Sequence, residues 1–238
     1  LWSDEATGFH GHLAACGGMV SGDGGFLEIS SPGYLEFRGT VDTLAPFGKA
    51  GTLLLDPAGV TIGAVSNGTW NPVCPTGIIG NPTVVQILNT DLQTALATCN
   101  VVIDTGASTG AGTGNIDVNA GFSWLAPQSL TLIATNDLTV NAQIGPTGNF
   151  VGDQVILTAG GTARIRTIAG ASPMGVVTVN GGILVNANNV IVGDAIAGAN
   201  QTSFLRAGGV GGNVTINSTT GLTLQGGAGN TAVLGTFV

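Results

Sequence analysis

The residues of this chain that can do chemistry are few: thirteen acids, five cations, two histidines and three cysteines in 238 residues. From residue 104 onward the acids are Asp104, Asp117, Asp137, Asp153 and Asp194, 13 to 41 residues apart, with no DD, DxD or ExD cluster. Hydrolysis or elimination on a polysaccharide needs two carboxyl groups about 5–10 Å apart, with a cation to hold an acidic sugar. Asp117 and Asp137 are the pair whose spacing can make them neighbours, and each is also a default surface position. Arg164 and Arg166, in "TARIRT", alternate outward on one strand and read as a solvated face before an anion site. His10 and His12, in "GFHGHLAACGG", share one side of a strand near Cys16, yet no third ligand stands at a sensible spacing for a metal. They read as exposed polar positions. Cys74 and Cys99 can pair in an exported chain, with Cys16 left over; the alternative is three buried, small apolar side chains. No glycine-rich phosphate loop precedes a helix with the required Lys. No catalytic, metal or cofactor residue is therefore assigned, and no cofactor is called for.

What must position these groups is a wall of short strands. Gly is 41 of 238 residues and charged residues are only 8 %, against about a quarter in ordinary globular domains. Apolar residues come in runs of three to five between Gly, Asn, Thr and Ser, too short for a membrane-spanning helix. A net charge of −8 with five scattered cations excludes a phosphate-binding patch, and with it nucleic acid. Two phrases alternate four times. One ends in Asn: "NIDVNA" (115–120), "DLTVNA" (137–142), "VVTVNG" (176–181) and "NVTINS" (213–218). The other ends in a small residue: "SLTLIA" (129–134), "QVILTA" (154–159), "NNVIVG" (188–193) and "GLTLQG" (221–226). Asn119, Asn141, Asn180 and Asn217 are 22, 39 and 37 residues apart, which predicts one coil of about twenty residues followed by two double coils.

That pattern predicts an all-β chain, a right-handed parallel β-helix (β-solenoid) of roughly 10–12 coils with one irregular insertion. Val, Ile and Leu at every second position fill a narrow core, while Gly and Asn turn the corners. The four Asn are candidates for one corner ladder of stacked amides. A sandwich requires hairpin turns, and a membrane barrel requires strands of about ten residues with aromatic girdles, whereas this chain has one Tyr. Thr131, Thr139, Thr178, Thr215 and Thr223 sit mid-strand, but singly, without the TxT array of an ice-binding face. Three regions follow: coils over 1–63, a Pro- and Cys-containing excursion over 64–100 and coils over 101–238, all in one continuous solenoid. Within the excursion, "NTDLQTALATCN" (89–100) predicts a helix with Leu92, Ala95 and Leu96 on one face and Asp91 near its start.

The stretch "GDGGFLEISSPGYLEFRGTVDTLAPFGKAGTLLLDPAGVTIG" (22–63) resembles a module of filamentous-haemagglutinin-like exoproteins, the two-partner-secretion adhesins of Gram-negative bacteria. The resemblance rests on Gly22-Asp23-Gly24-Gly25-Phe26, Leu35-Glu36-Phe37-Arg38-Gly39, Val41-Asp42, Ala45-Pro46, Gly48-Lys49 and Gly51 through Pro57. It is specific over 1–62, weaker over 86–144 and only solenoid-like beyond. It implies a non-enzymatic segment of a secreted, cell-surface fibre acting in adhesion or aggregation. Its expected partners are glycans or proteins of a host or neighbouring cell, without nucleic acid or a membrane span. On that reading the sequons at Asn67, Asn200, Asn213 and Asn217 are accidental. Glu28 and Glu36 are expected on the outward side of two wall strands. Neither end shows a polar cap, which predicts end-to-end association into filaments. The alternative is a carbohydrate-active β-helix, either a lyase- or hydrolase-like enzyme or a polysaccharide-binding module.

Overall fold

A computed structural model describes residues 1–64, 85–106, 112–152, 154–166, 174–194, 202–209, 211–226 and 231–237. The chain winds as a parallel β-solenoid with three faces. The first coil holds β1 (Ala6–Phe9) and β2 (His12–Ala14); the second holds β3 (Phe26–Ser31), β4 (Tyr34–Phe37) and β5 (Thr40–Asp42). The third contributes β6 (Thr52–Pro57) and β7 (Val60–Gly63), then β8 (Val85–Leu88) and helix α1 (Asn89–Ala95). Two regular coils follow: β9 (Asn100–Asp104), β10 (Ile116–Val118) and β11 (Phe122–Trp124), then β12 (Leu130–Ala134), β13 (Leu138–Val140) and β14 (Ile144–Pro146). In the last three coils one long strand bends over two faces: β15 (Gln154–Ile165) with β16 (Met174–Thr178), β17 (Gly182–Asp194) with β18 (Thr202–Gly208), and β19 (Val214–Gly226) with β20 (Thr231–Phe237).

Every strand pairing between coils is parallel, so each apolar residue stands over its counterpart one rung below. On the first face one inward column runs Ile29–Leu55–Ile103–Leu132–Leu157–Val185–Ile216. Its members from Ile29 to Val185 are fully buried. On the second face Ile62–Val118–Val140–Ile165–Val192–Leu224 does the same. On the last described rung, Leu222 and Leu224 continue buried columns but are 44 % and 52 % exposed. Corners take small residues: Ala134, Ala159 and Ala187 stack where the first face turns into the second, and the register shifts there between Ala159 and Thr162 and between Ala187 and Asn189.

Three expectations change. Seven first-face rungs, from β3 to β19, enclose about six turns rather than the 10–12 coils expected. Side chains bonded across adjacent rungs show the coil length: Asn141 and Arg166 are 25 positions apart, Thr158 and Asn186 are 28, and Asn186 and Asn217 are 31. The coil from Asn119 to Asn141 has the 22 positions expected, but later coils lengthen, so the spacings of 39 and 37 are not double coils. The Asn-ended phrases also do not recur at one corner. "NIDVNA" and "DLTVNA" lie on the second face, "VVTVNG" falls in β16 on the third, and "NVTINS" opens β19 on the first. Alternation makes a strand but does not choose its face. The helix is shorter than expected, with Leu96 as its C-cap, and Leu92, Ala95 and Leu96 are buried on one side.

The excursion after β7 has a defined consequence. β8 pairs with β7 on the side away from β10 and packs against β4, so it is an extra rung on the second face. α1 packs against β5 and β11, in the place of a third-face strand. That substitution separates the β2–β5 pair from the five-stranded third-face sheet β11–β14–β16–β18–β20. Asn89 Nδ2 donates to the Gly121 carbonyl (2.7 Å), and Thr98 Oγ1 donates to that of Val41 (2.6 Å). These bonds tie the helical segment to the coils on either side of it.

Candidate functional site

The outward side of the second face gathers the chain's acid, guanidinium and amide groups. Asp117, Thr139 and Arg164 occupy one column on successive rungs, and the strand alternation that buries Ile116, Val118, Leu138 and Val140 turns them outward. Beside them, Asn141 Nδ2 donates to Asn119 Oδ1 (2.7 Å) and Arg166 Nε donates to Asn141 Oδ1 (2.5 Å). Burial pushes the Asp117 carboxyl above its ordinary value. A hydrogen bond from Thr139 and the charge of Arg166 draw it back, and Asp137 adds to the rise. Asp137 is engaged at the corner, its Oδ1 accepting the Thr162 N–H (2.7 Å). The structure therefore brings the two acids onto neighbouring rungs, Asp137 bonded to a backbone N–H and Asp117 to the Thr139 hydroxyl.

A second carboxylate pair escaped the sequence reading. Following the β6–β9 register one residue beyond Leu55 and Ile103 places Asp56 beneath Asp104 on the first face. The whole excursion lies between them in the chain, so no local spacing signals the contact. Asp104 Oδ1 accepts the Gly106 N–H (2.8 Å) and closes a turn, and Asp56 is 4 % exposed. Each pair thus contains a carboxylate fixed to backbone.

The four Asn do not form one ladder. Asn119 and Asn141 stack, and Arg166 takes the third position. Asn180 donates instead to Asn149 Oδ1, and Asn217 donates to Asn186 Oδ1 (2.8 Å). The reason lies in the strand assignment: the Asn-ended phrases fall on three faces and their corners cannot coincide. The Asn186–Asn217 corner opens a cleft of about 550 Å³ lined by Thr158, Asn186, Asn188, Asn217, Ser218 and Thr219. The Asn188 carbonyl there accepts the hydroxyls of Ser218 (2.9 Å), Thr219 (3.3 Å) and Thr220 (2.5 Å). It is a trough of neutral donors and acceptors, suited to hydroxyl-rich ligands and without an ionisable group to move a proton.

The remaining candidates disperse. His10 Nε2 lies 3.1 Å from Glu36 Oε2, and His12 Nδ1 lies 2.9 Å from Thr40 Oγ1. Among the described residues no three His, Cys, Asp or Glu side chains converge to hold a metal. Glu28 is exposed as expected, whereas Glu36 is 7 % exposed. Arg38 reaches Asp91 of α1 (3.3 Å), whose carboxyl is raised by burial and drawn back by that guanidinium. Cys16 is exposed and Cys99 buried, both as free thiols; Cys74, the suggested partner of Cys99, lies outside the described residues. The five Thr scatter over three faces: Thr131 and Thr215 on the first, Thr139 and Thr223 on the second, and Thr178, fully buried, on the third.

No helix among the described residues is long and apolar enough to cross a membrane. Comparison of the chain with family models, curated proteins and solved structures returns no match, so what is shown is a β-solenoid.

Proposed function

We propose that this chain is a non-enzymatic structural and adhesive segment of a secreted bacterial cell-surface fibre, in line with the resemblance of residues 22–63 to filamentous-haemagglutinin-like exoproteins. The observation that carries the reading is the state of the carboxylates. In both pairs that register brings together, one member is fixed to a backbone N–H at a corner, which serves a wall and not a reaction. Its ligands are then glycans or proteins of an opposing cell, met by the neutral trough at Asn186 and Asn217 and by the outward second face. Beads coated with the chain are expected to adhere to cells, with adhesion reduced by Asn186→Ala together with Asn217→Ala. Beads that stay free of every cell type and glycan tried would overturn the adhesive part. End-to-end association belongs to the same proposal: electron microscopy should show filaments, and monodisperse particles at high concentration would remove that element.

The alternative, a carbohydrate-active β-helix, draws on Asp56 beneath Asp104 and on Asp117 beside Asp137. Reducing-end and unsaturated-product assays on neutral and acidic polysaccharides separate the two. No turnover is expected. Turnover abolished by Asp104→Asn or Asp117→Asn would replace the adhesive reading with an enzymatic one.

A further inference from the structure

Large apolar side chains exposed on a folded chain are ordinary singly and informative when they gather. Among the described residues those more than a third exposed number eleven. Leu1 and Trp2 lie on the lowest rung, and Leu222 and Leu224 on the last. All seven others stand at one edge of the prism, where the third face turns into the first. Met19 and Val20 are on the loop between β2 and β3, Leu44 and Phe47 on that between β5 and β6, Leu125 on that between β11 and β12, and Val151 on that between β14 and β15. Phe26 opens β3 beside the same edge.

The loops stack as one ridge. Gly17 N–H donates to the Leu44 carbonyl (2.8 Å) and Gly24 N–H to that of Lys49 (2.8 Å), joining the first two tiers. Thr43 Oγ1 donates to the Thr98 carbonyl (3.2 Å), the Ser129 N–H to Asn100 Oδ1 (3.0 Å) and the Gln154 N–H to Ser129 Oγ (3.3 Å), carrying the stack upward. Four steps of about 4.8 Å make the ridge roughly 19 Å long. Its backbone is held: Lys49 N–H reaches Asp23 Oδ1 (2.8 Å), Leu44 N–H reaches Asp42 Oδ1 (2.9 Å), and a side chain at Gly24 would collide with the Thr43 carbonyl. Val20 is 88 % exposed, Met19 78 %, Leu125 and Val151 74 %, and Phe47 65 %. A fixed scaffold thus presents apolar tips to solvent.

Shape and charge select the occupant. The ridge is convex, so two copies meeting edge to edge touch along a line and fall short of the roughly 1,200 Å² that a stable protein interface buries. Asp23, Asp42 and Glu28 flank it against Lys49, an acidic rim that disfavours both a second copy meeting edge to edge and an anionic surface. A deformable apolar medium behind uncharged or zwitterionic headgroups can enclose a convex ridge completely, as it does the apolar face of an interfacial helix. We propose that this edge is a membrane-docking ridge that inserts Met19, Val20, Phe47 and Leu125 into the interface of a zwitterionic bilayer, laying the solenoid along the membrane.

The test uses the whole chain with phosphatidylcholine vesicles. Co-sedimentation is expected, along with a blue shift of the new emission in Phe47→Trp. The triple variant Val20→Ser, Phe47→Ser, Leu125→Ser, shown folded by circular dichroism, should partition at least tenfold less. Leu222→Ser with Leu224→Ser, altering exposed apolar residues away from the ridge, should partition as the parent does. Partition unchanged in the triple variant, binding only to phosphatidylserine vesicles, no binding by the folded parent, or a dimer in sedimentation velocity that the triple variant abolishes would each overturn the proposal.

Discussion

Asn141→Ala tests whether the short amide ladder supports the wall. Asn141 is 5 % exposed and central: it donates to Asn119 Oδ1 and accepts from Arg166 Nε. Removing the amide deletes one neutral hydrogen bond, a net loss of about 1 kcal/mol, and one charge-assisted bond of about 1.5–3 kcal/mol. Arg166 keeps its other contacts, which places the sum near the lower end, about 2–3 kcal/mol. At roughly 2–4 °C per kcal/mol for a chain of this size, Tm falls by about 5–10 °C. Asn217→Ala, exposed and bonded on one side to Asn186, should cost at most about 1 kcal/mol. Asn141→Asp should lie between, since the carboxylate still accepts from Arg166 and Asn119 can reverse its amide to donate. Guanidinium titration followed by far-ultraviolet circular dichroism measures all three. Equal losses for Asn141→Ala and Asn217→Ala, or a loss for the first smaller than a single neutral hydrogen bond contributes, would refute the reasoning.

Leu132→Ala empties a fully buried position between Ile103 and Leu157; hydrogen bonds fix the rung spacing and oppose collapse, so denaturant titration should give a loss of about 3–5 kcal/mol. Leu224→Ala, half exposed on the last described rung, should cost under about 1.5 kcal/mol in the same titration. Gly145→Ala should abolish the fold, read as loss of the β-sheet circular dichroism band, because φ is +145° and the new methyl would strike the Val177 carbonyl. The Asp117 and Asp91 carboxyls both rise on folding, chiefly by burial. Their contribution is therefore complete below the ordinary value of 3.8 and is lost as pH climbs through the raised one. Asp117→Asn should raise Tm at neutral pH relative to the parent and flatten, without removing, the gain seen on acidification, Asp91 supplying the rest.

Much of the architecture was legible because β-solenoid physics is written locally. The alternation in "NIDVNA", "SLTLIA" and "DLTVNA" put Ile116, Val118, Leu130, Leu132, Leu138 and Val140 inward, and each is fully buried. In "VVTVNG" it put Val177 and Val179 inward, whereas the structure buries Val176 and Thr178 instead. The helical face of Leu92, Ala95 and Leu96 was readable for the same reason. Coil length was legible for the 22 positions from Asn119 to Asn141 but not beyond, because a corner of Gly and Asn looks the same whether it ends a strand, a face or a coil. The candidate sites suffered from that gap. Asp56 and Asp104 meet across the whole excursion, and the Asn positions separate onto different corners once the coil outgrows the twenty or so positions that their spacing suggested.

The sequence alone determined that this chain is built of short strands with a dry interior and neutral corners, since alternation and poverty of charge act over only a few positions. The tertiary structure decided which strands lie above one another. Parallel stacking makes neighbours of residues a full coil apart, and a single excursion, from which β8 returns under β7, is looped out so that β9 and β10 stack directly on β6 and β7. The Asp117–Arg166 patch, the trough at Asn217 and the apolar edge from Met19 to Val151 exist only through that winding, because each gathers residues from successive turns.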